Sequence, residues 1–353
     1  MSLPGSITDR DLQVAEYIVE HFRGSMSMLD ARRIEWELSE PFTISRGSIT
    51  HVNGVLVTLK DALGRNFGRG EAYGVDYLGE TPETMLAQIE AVRGKITSEI
   101  TREELLHLLP AGGARCAIDL AMWDLEAKLS REPAWKRAGF QRLDPLTTSF
   151  TIGMRSSSEL EATVRRHANY RLLKIKVDSN SPMKTLRLVR RAAPKSRVII
   201  DPNQSWSMDL LREFAPECKS LGVELIEQPL PVDQDSDLAS YTSPVPLCAD
   251  ELIHSCVDLE KAVGKYQVIN IKLDKAGGLT EGLRIAEAAK ERGFRLMVGC
   301  MCGSSLAMAP AMIVGQLCDY VDLDGPLLQR RDWENAIKYH SGRMDPPNAA
   351  LWG

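Results

Sequence analysis

Two lysines stand two positions apart in "LLKIKVD" (172–178), a run that otherwise reads as a buried strand. Side chains at i and i+2 of a strand project to the same side, so Lys174 and Lys176 face one place. Further along, short apolar runs end in single polar residues: Asp201 in "IIDPNQ", Glu227 in "LIEQP", Asp250 in "CADE" and Lys272 in "NIKLD". From Lys176 to Lys272 these residues follow one another at 22 to 26 positions, the length of one strand plus one helix. Taken singly each is weak, because an aspartate at a strand end commonly caps the next helix. Taken together, three carboxylates at one mouth repel one another unless a cation compensates them. An all-oxygen set selects a hard ion, most simply Mg²⁺, and one per subunit is expected. Asn203 and Glu251 are candidate supports for these ligands.

The same spacing gives the lysines their chemistry. If the repeats close into an eight-stranded barrel, the strands of Lys176 and Lys272 lie opposite each other, with the three carboxylate strands between. A substrate carboxylate at the ion then presents its α-carbon to one lysine on each face. That arrangement suits removal of an α-proton on one side and its return on the other, with the charge of the enediolate falling on the metal. A neighbouring ammonium at Lys174 and the cation would favour the neutral form of Lys176, which can act as base.

The elements that must position these groups follow from the apolar pattern. Eight short runs, "TTSFTIG", "LLKIKVD", "RVIIDPN", "VELIEQP", "PLCADE", "VINIKLD", "RLMVGCM" and "DYVDLDG", alternate with amphipathic segments such as "PMKTLRLVRRAAP". This predicts a (β/α)₈ TIM barrel over 141–325, in which polar strand ends share one mouth. An open doubly wound sheet is the rival, but no glycine-rich phosphate loop follows the first strand. Before the barrel, "RRIEWELSEPF", "THVNGVLVTLKD" and "NFGRGEAYGV" read as strands, followed by helical stretches. They predict an α+β capping domain over 32–140. Residues 1–31 are read as an extension with a short helix in "DRDLQVAEYIVEHF", and 326–353 as a segment returning to the cap.

Bulk composition narrows the class. The chain has 353 residues, 44% of them apolar, and a net charge of −5. That balance argues against nucleic acid or an acidic membrane surface as partner. No apolar run is long enough for a bilayer, and the start lacks a secretory pattern. Seven cysteines without paired zinc spacing suggest a reduced, cytoplasmic protein, with Cys300 and Cys302 as buried thiols. A homo-oligomer acting on a small molecule is expected.

The set "KIK", "DPN", "EQP", "ADE" and "NIK" resembles the enolase superfamily, specifically its muconate-lactonizing-enzyme subgroup, over about residues 32–335. The resemblance implies metal ligands at Asp201, Glu227 and Asp250 and acid–base lysines at Lys176 and Lys272. Mandelate-racemase-type members use a His–Asp pair on the second face. Lys272 stands there instead and argues against an acid-sugar dehydratase. "DLDGPL" (322–327) is similar to the dipeptide epimerases, which implies that Asp322 and Asp324 hold a substrate α-ammonium. "LTREELLHLLPAGGARCAIDLAMWDLEAK" and "NIKLDKAGGLTE" resemble the enzymes acting on L-Ala-D/L-Glu from cell-wall peptide. "PFTISRGS" resembles the capping-domain loop of those enzymes, which implies Arg46 as partner of the substrate's γ-carboxylate; Ser149 and Cys300 are further candidate supporting or substrate-binding residues. After strand seven, "CMCGSSLAMAP" departs from the glutamate-containing segment of many relatives, which changes a pocket wall. The alternatives are N-acylamino-acid racemisation, o-succinylbenzoate synthesis and cycloisomerisation. A non-catalytic metal-binding barrel is the alternative from another class.

Overall fold

The computed structural model describes residues 26–353. The helix expected within residues 9–22 lies outside them. A three-stranded antiparallel sheet opens the cap, formed by Met26–Ile44, Gly47–Asp61 and Phe67–Tyr73 in that order. Residues 26–31, expected in the extension, belong to the first of these strands. Helix Gly113–Ser130 lies across the sheet and is buried over most of its length, with Ala117, Ala121 and Leu125 inside. Its backbone approaches so closely that a Cβ on Gly70 would sit 2.0 Å from Ala117 O, and one on Gly68 2.1 Å from Ala121 O. Glycine at both positions is what lets sheet and helix meet.

The barrel follows as eight parallel strands, Phe150–Ile152, Leu172–Lys176, Arg197–Asp201, Val223–Glu227, Leu247–Ala249, Val268–Lys272, Arg295–Gly299 and Tyr320–Val321, numbered here one to eight. The first and last strands are joined where the Ser149 N–H donates to Val321 O at 2.8 Å. The connecting helices bury one stripe. Pro182–Ala192, for example, turns Met183, Leu186 and Val189 inward.

Period two along each strand creates the site. Leu172, Ile199, Leu225, Cys248, Val268, Met297 and Tyr320 form an apolar layer of their own inside the barrel, apart from the main core. Two residues further along these strands come Lys174, Asp201, Glu227, Asp250, Asn270 and Asp322, all buried. A further two give Lys176, Lys272 and Asp324. The pleat stacks an ionic layer on an apolar floor. That is why charge interrupts runs that otherwise read as buried strand.

Residues of the C-terminal segment contact the cap. Leu38 bridges Gln329, and Trp333 packs edge-on against Trp36 at 5.4 Å between ring centroids. Trp333 Nε1 donates to Glu71 Oε2 at 2.7 Å, and the Gly353 N–H to Asp124 Oδ1 at 2.8 Å. Among the described residues no helix is long and apolar enough to cross a membrane.

Candidate active site

The ionic layer is built from ammonium–carboxylate contacts across neighbouring strands. Lys176 and Asp201 are register partners on strands two and three, and Lys176 Nζ donates to Asp201 Oδ2 at 2.6 Å and to Asn203 Oδ1 at 2.9 Å. On the other flank, Lys272 Nζ donates to Asp250 Oδ2 at 2.7 Å. The two lysines therefore hold the outer two of the three carboxylates, with Glu227 between. Asn270 Nδ2 donates to Glu227 Oε1 at 2.8 Å, while Glu227 Oε2 is buried without a hydrogen-bond donor. Lys174 Nζ lies 2.7 Å from that oxygen, in ion-pair contact but off hydrogen-bond geometry.

Lys174 sits at the centre of this layer as a buried cation. It is 2% exposed, and its ammonium also lies 2.7 Å from Asp322 Oδ2 and 3.2 Å from Asp201 Oδ2. Burial opposes its charge, but Asp322, Glu227 and Asp201 outweigh that and hold it well above the ordinary lysine range. Carboxylates stand against both amines of the pair, Asp322, Glu227 and Asp201 around Lys174 and Asp201 beside Lys176. Lys272 is likewise held protonated: burial opposes the charge and Asp250 overcomes it.

The carboxylates respond unequally. Burial and then the charge of Asp201 push Glu227 up to about 8. Asp250 stays ionised despite burial, because Lys272 and Lys275 face it. Among the described residues no three acidic, histidine or cysteine side chains converge as a ready ion site, since ammonium groups stand between the carboxylates. The donor set nonetheless fits a hard cation. It consists of three buried carboxylates on consecutive strands, with an unbonded Glu227 oxygen at the centre and excess negative charge around it.

At strand eight, Asp322 and Asp324 are both buried. Asp322 Oδ1 accepts from Ser149 Oγ at 2.5 Å and Thr151 Oγ1 at 3.1 Å, and the Thr151 N–H donates to Asp324 Oδ2 at 2.5 Å. Ser149 is thereby placed in the site. Asp324 stands at the N-cap of Gly325–Leu328, yet its side chain makes no capping bond, so helix capping does not explain it. Burial opposes ionisation of Asp322, but Lys174 holds it below its ordinary range. Burial and the Asp322 charge push Asp324 up to about 7.

Arg46, on the turn between the first two cap strands, meets Glu251 at 2.9 Å. The Ser45 hydroxyl donates to the carbonyls of Pro202 and Asn203, so this turn rests on the strand-three end. Asn203 (φ 46°) and Gln228 (φ 34°) adopt left-handed backbone conformations beside the carboxylates, as residues at functional strand ends often do. Cys300 and Cys302 are partly rather than fully buried, and burial raises both thiols, Cys302 to about 12. Lys275 escaped the sequence reading. It is 1% exposed, with Nζ 2.5 Å from Asp250 Oδ1. Its signal was position i+3 from Lys272, on the short helix Leu273–Ala276. Asn270 was also missed, although it is inward by period two with Lys272.

Fold and site define a capped (β/α)₈ barrel whose mouth pairs lysines with carboxylates on neighbouring strands. Residues 158–350 match the enolase C-terminal domain-like family, and residues 28–139 match the mandelate racemase/muconate lactonizing enzyme N-terminal domain. The chain belongs to this family. It is 40% identical to an N-acetyl-D-glutamate racemase of a Pseudoalteromonas species, over 81% of this chain and 91% of that protein. It is 35% identical to the L-Ala-D/L-Glu epimerase of Escherichia coli (strain K12), over 88% and 96%. An enolase family member from Agrobacterium tumefaciens with homology to dipeptide epimerases, solved with sodium and L-Ala-L-Glu, superposes with a TM-score of 0.90 at 41% identity. That match covers 93% of this chain and all of the other. The dipeptide epimerase of Methylococcus capsulatus, solved with Mg and L-Arg-D-Lys, gives a TM-score of 0.83 at 30% identity, covering 93% and 99%.

Proposed function

We propose that this protein is an Mg²⁺-dependent dipeptide epimerase that inverts the α-carbon of the C-terminal residue, with L-Ala-D/L-Glu as its substrate class. The observation that carries the reading is the placement of Lys176 on Asp201 and Lys272 on Asp250, on opposite flanks of Glu227. A substrate carboxylate lodged over Glu227 has its α-carbon between the two amines. In one direction Lys176 Nζ accepts the α-proton, leaving an enediolate, and the Lys272 ammonium returns a proton to the opposite face. The other epimer reverses the two roles. Asp201, Glu227 and Asp250 would hold the ion, which supplies electrostatic stabilisation of the charge gathered on the substrate carboxylate. Asp322 and Asp324 take the α-ammonium of the N-terminal residue, and Ser149 orients Asp322. Arg46 and Cys300 line the side-chain end.

A second reading is N-acylamino-acid racemisation. It is supported by the relative named N-acetyl-D-glutamate racemase and by Asp322 already having the Lys174 ammonium as partner. Solvent exchange of the α-proton in D₂O with Mg²⁺, run on a panel of dipeptides and N-acetylated amino acids, decides. The proposal expects free L-Ala-Glu to exchange and its N-acetylated form to exchange at least tenfold more slowly. Equal or faster turnover of N-acetylated substrates would establish the second reading.

A further inference from the structure

Tyr77 sits in the short turn Asp76–Leu78, on the cap loop that reaches over the barrel mouth. Its hydroxyl is closed off from solvent and has no protein hydrogen-bond partner. The surroundings are far from apolar: Asp250, Lys272, Glu251 and Arg46 all act electrostatically on the phenol. Burial, with the Asp250 charge second, holds it protonated, so it is available as a donor. An unpaired buried hydroxyl is costly unless something bonds it in the working state.

The ring is fixed while the hydroxyl is free. Arg46 lies 5.4 Å above the ring centroid, and His254 meets it edge-on at 6.3 Å. His254 is itself tied to Glu251 O at 3.0 Å. The loop is pinned from behind by Glu80, which accepts from the Val75 N–H at 2.9 Å and the Gly113 N–H at 3.2 Å. A rigid donor is therefore presented on the Lys272 side of the mouth. Arg46, assigned above to the side-chain end of the substrate, lies against the same ring.

We infer that Tyr77 is a specificity-determining residue whose hydroxyl donates a hydrogen bond to an acidic side chain on the epimerised residue, beside Arg46. This rests on the two-lysine reading but is indifferent to whether the amino group of that residue carries an aminoacyl or a simple acyl group. A carboxylate there would accept from Tyr77 Oη and from the Arg46 guanidinium, which reaches the site already oriented by Glu251. An apolar side chain would leave the hydroxyl unpaired, so selectivity comes from the penalty as much as from the bond.

The test is Tyr77→Phe, which keeps the ring and its two stacking partners, with thermal unfolding as a check on folding. Rates are compared for L-Ala-D-Glu, L-Ala-D-Gln and L-Ala-D-Leu. The expected result is a ten- to hundredfold fall in kcat/KM for the glutamate substrate, mostly in KM, the usual scale for a hydrogen bond to a charged group. The leucine substrate should change less than threefold. Equal losses on all three, or no loss on glutamate, would overturn the inference. If the parent exchanges only N-acetylglutamate, the dipeptide reading fails, and the same comparison against N-acetylglutamine and N-acetylleucine decides for Tyr77. If the parent exchanges no glutamate-bearing substrate, both fall.

Discussion

The ammonium of Lys174 lies 2.7 Å from Asp322 Oδ2, joining strand two to strand eight across the barrel mouth. This contact fixes the charge of one aspartate of the "DLD" pair and leaves the other to titrate. Lys174 holds Asp322 below its ordinary range against the effect of burial, whereas burial and then the Asp322 charge push Asp324 up to about 7. Under the proposed dipeptide reading the pair divides its work: Asp322 ties strands two and eight together, and Asp324 would supply the carboxylate for an incoming ammonium.

That division predicts a pH effect on binding. Below about pH 7 Asp324 is protonated and cannot pair with a substrate ammonium, so KM for a dipeptide should fall as pH rises through that range. The dependence should vanish in Asp324→Asn, with kcat/KM lowered about ten- to hundredfold. Stability moves the other way. Because the folded pKa is raised from 3.8, the folded state binds more protons than the unfolded chain between the two values, and ionising Asp324 costs stability as pH rises. Thermal unfolding should therefore show Asp324→Asn gaining on the parent at pH 8 and matching it near pH 4. A variant less stable than the parent at pH 8 would contradict this.

Metal removal should be equally plain. Glu227 lies between two lysine-held carboxylates with one oxygen unbonded, so EDTA should abolish α-proton exchange and Mg²⁺ restore it. Glu227→Gln should weaken Mg²⁺ binding, read by calorimetry without any turnover. Full exchange in metal-free enzyme would rule the ion out of the reaction.

Lys275 offers a test of the supporting structure. It is buried against Asp250, and Lys272 alone would remain to balance that carboxylate. Removing one partner of a buried pair costs roughly 3–5 kcal/mol, and the remaining lysine should place Lys275→Met at the low end. Urea unfolding should show a loss of about 3 kcal/mol, with exchange activity also reduced. An unchanged midpoint would show that Asp250 does not depend on Lys275.

Much of this was legible in the sequence because strands carry a period of two and the barrel repeats a strand and a helix. Lys176, Asp201, Glu227, Asp250 and Lys272 could be placed at one mouth from spacing alone. Contacts that cross the barrel or join separate domains were not legible. Lys174 was read against its sequence neighbour Lys176, yet its partners come from strands three, four and eight. Lys275 lies on a helix only four residues long, too short for a periodic signal. Tyr77 gains its surroundings from Arg46, 31 positions before it, and from residues about 170 to 200 positions after it, and nothing local marks it. The Glu71 carboxylate, bonded by Tyr73, Ser304 and Trp333, ties cap, barrel and C-terminal segment together in a way no linear pattern announces.

The central claim, one lysine for each face of the α-carbon, is tested most directly by following solvent deuterium into each epimer with Lys176→Ala and Lys272→Ala in the presence of Mg²⁺. Both variants should lose net epimerisation, by about a thousandfold or more if each amine supplies proton transfer on its own face. One variant should still exchange the α-proton of a single epimer, and the other variant only that of the opposite epimer. Net epimerisation retained in either variant, or both variants exchanging the same epimer, would contradict the two-lysine assignment.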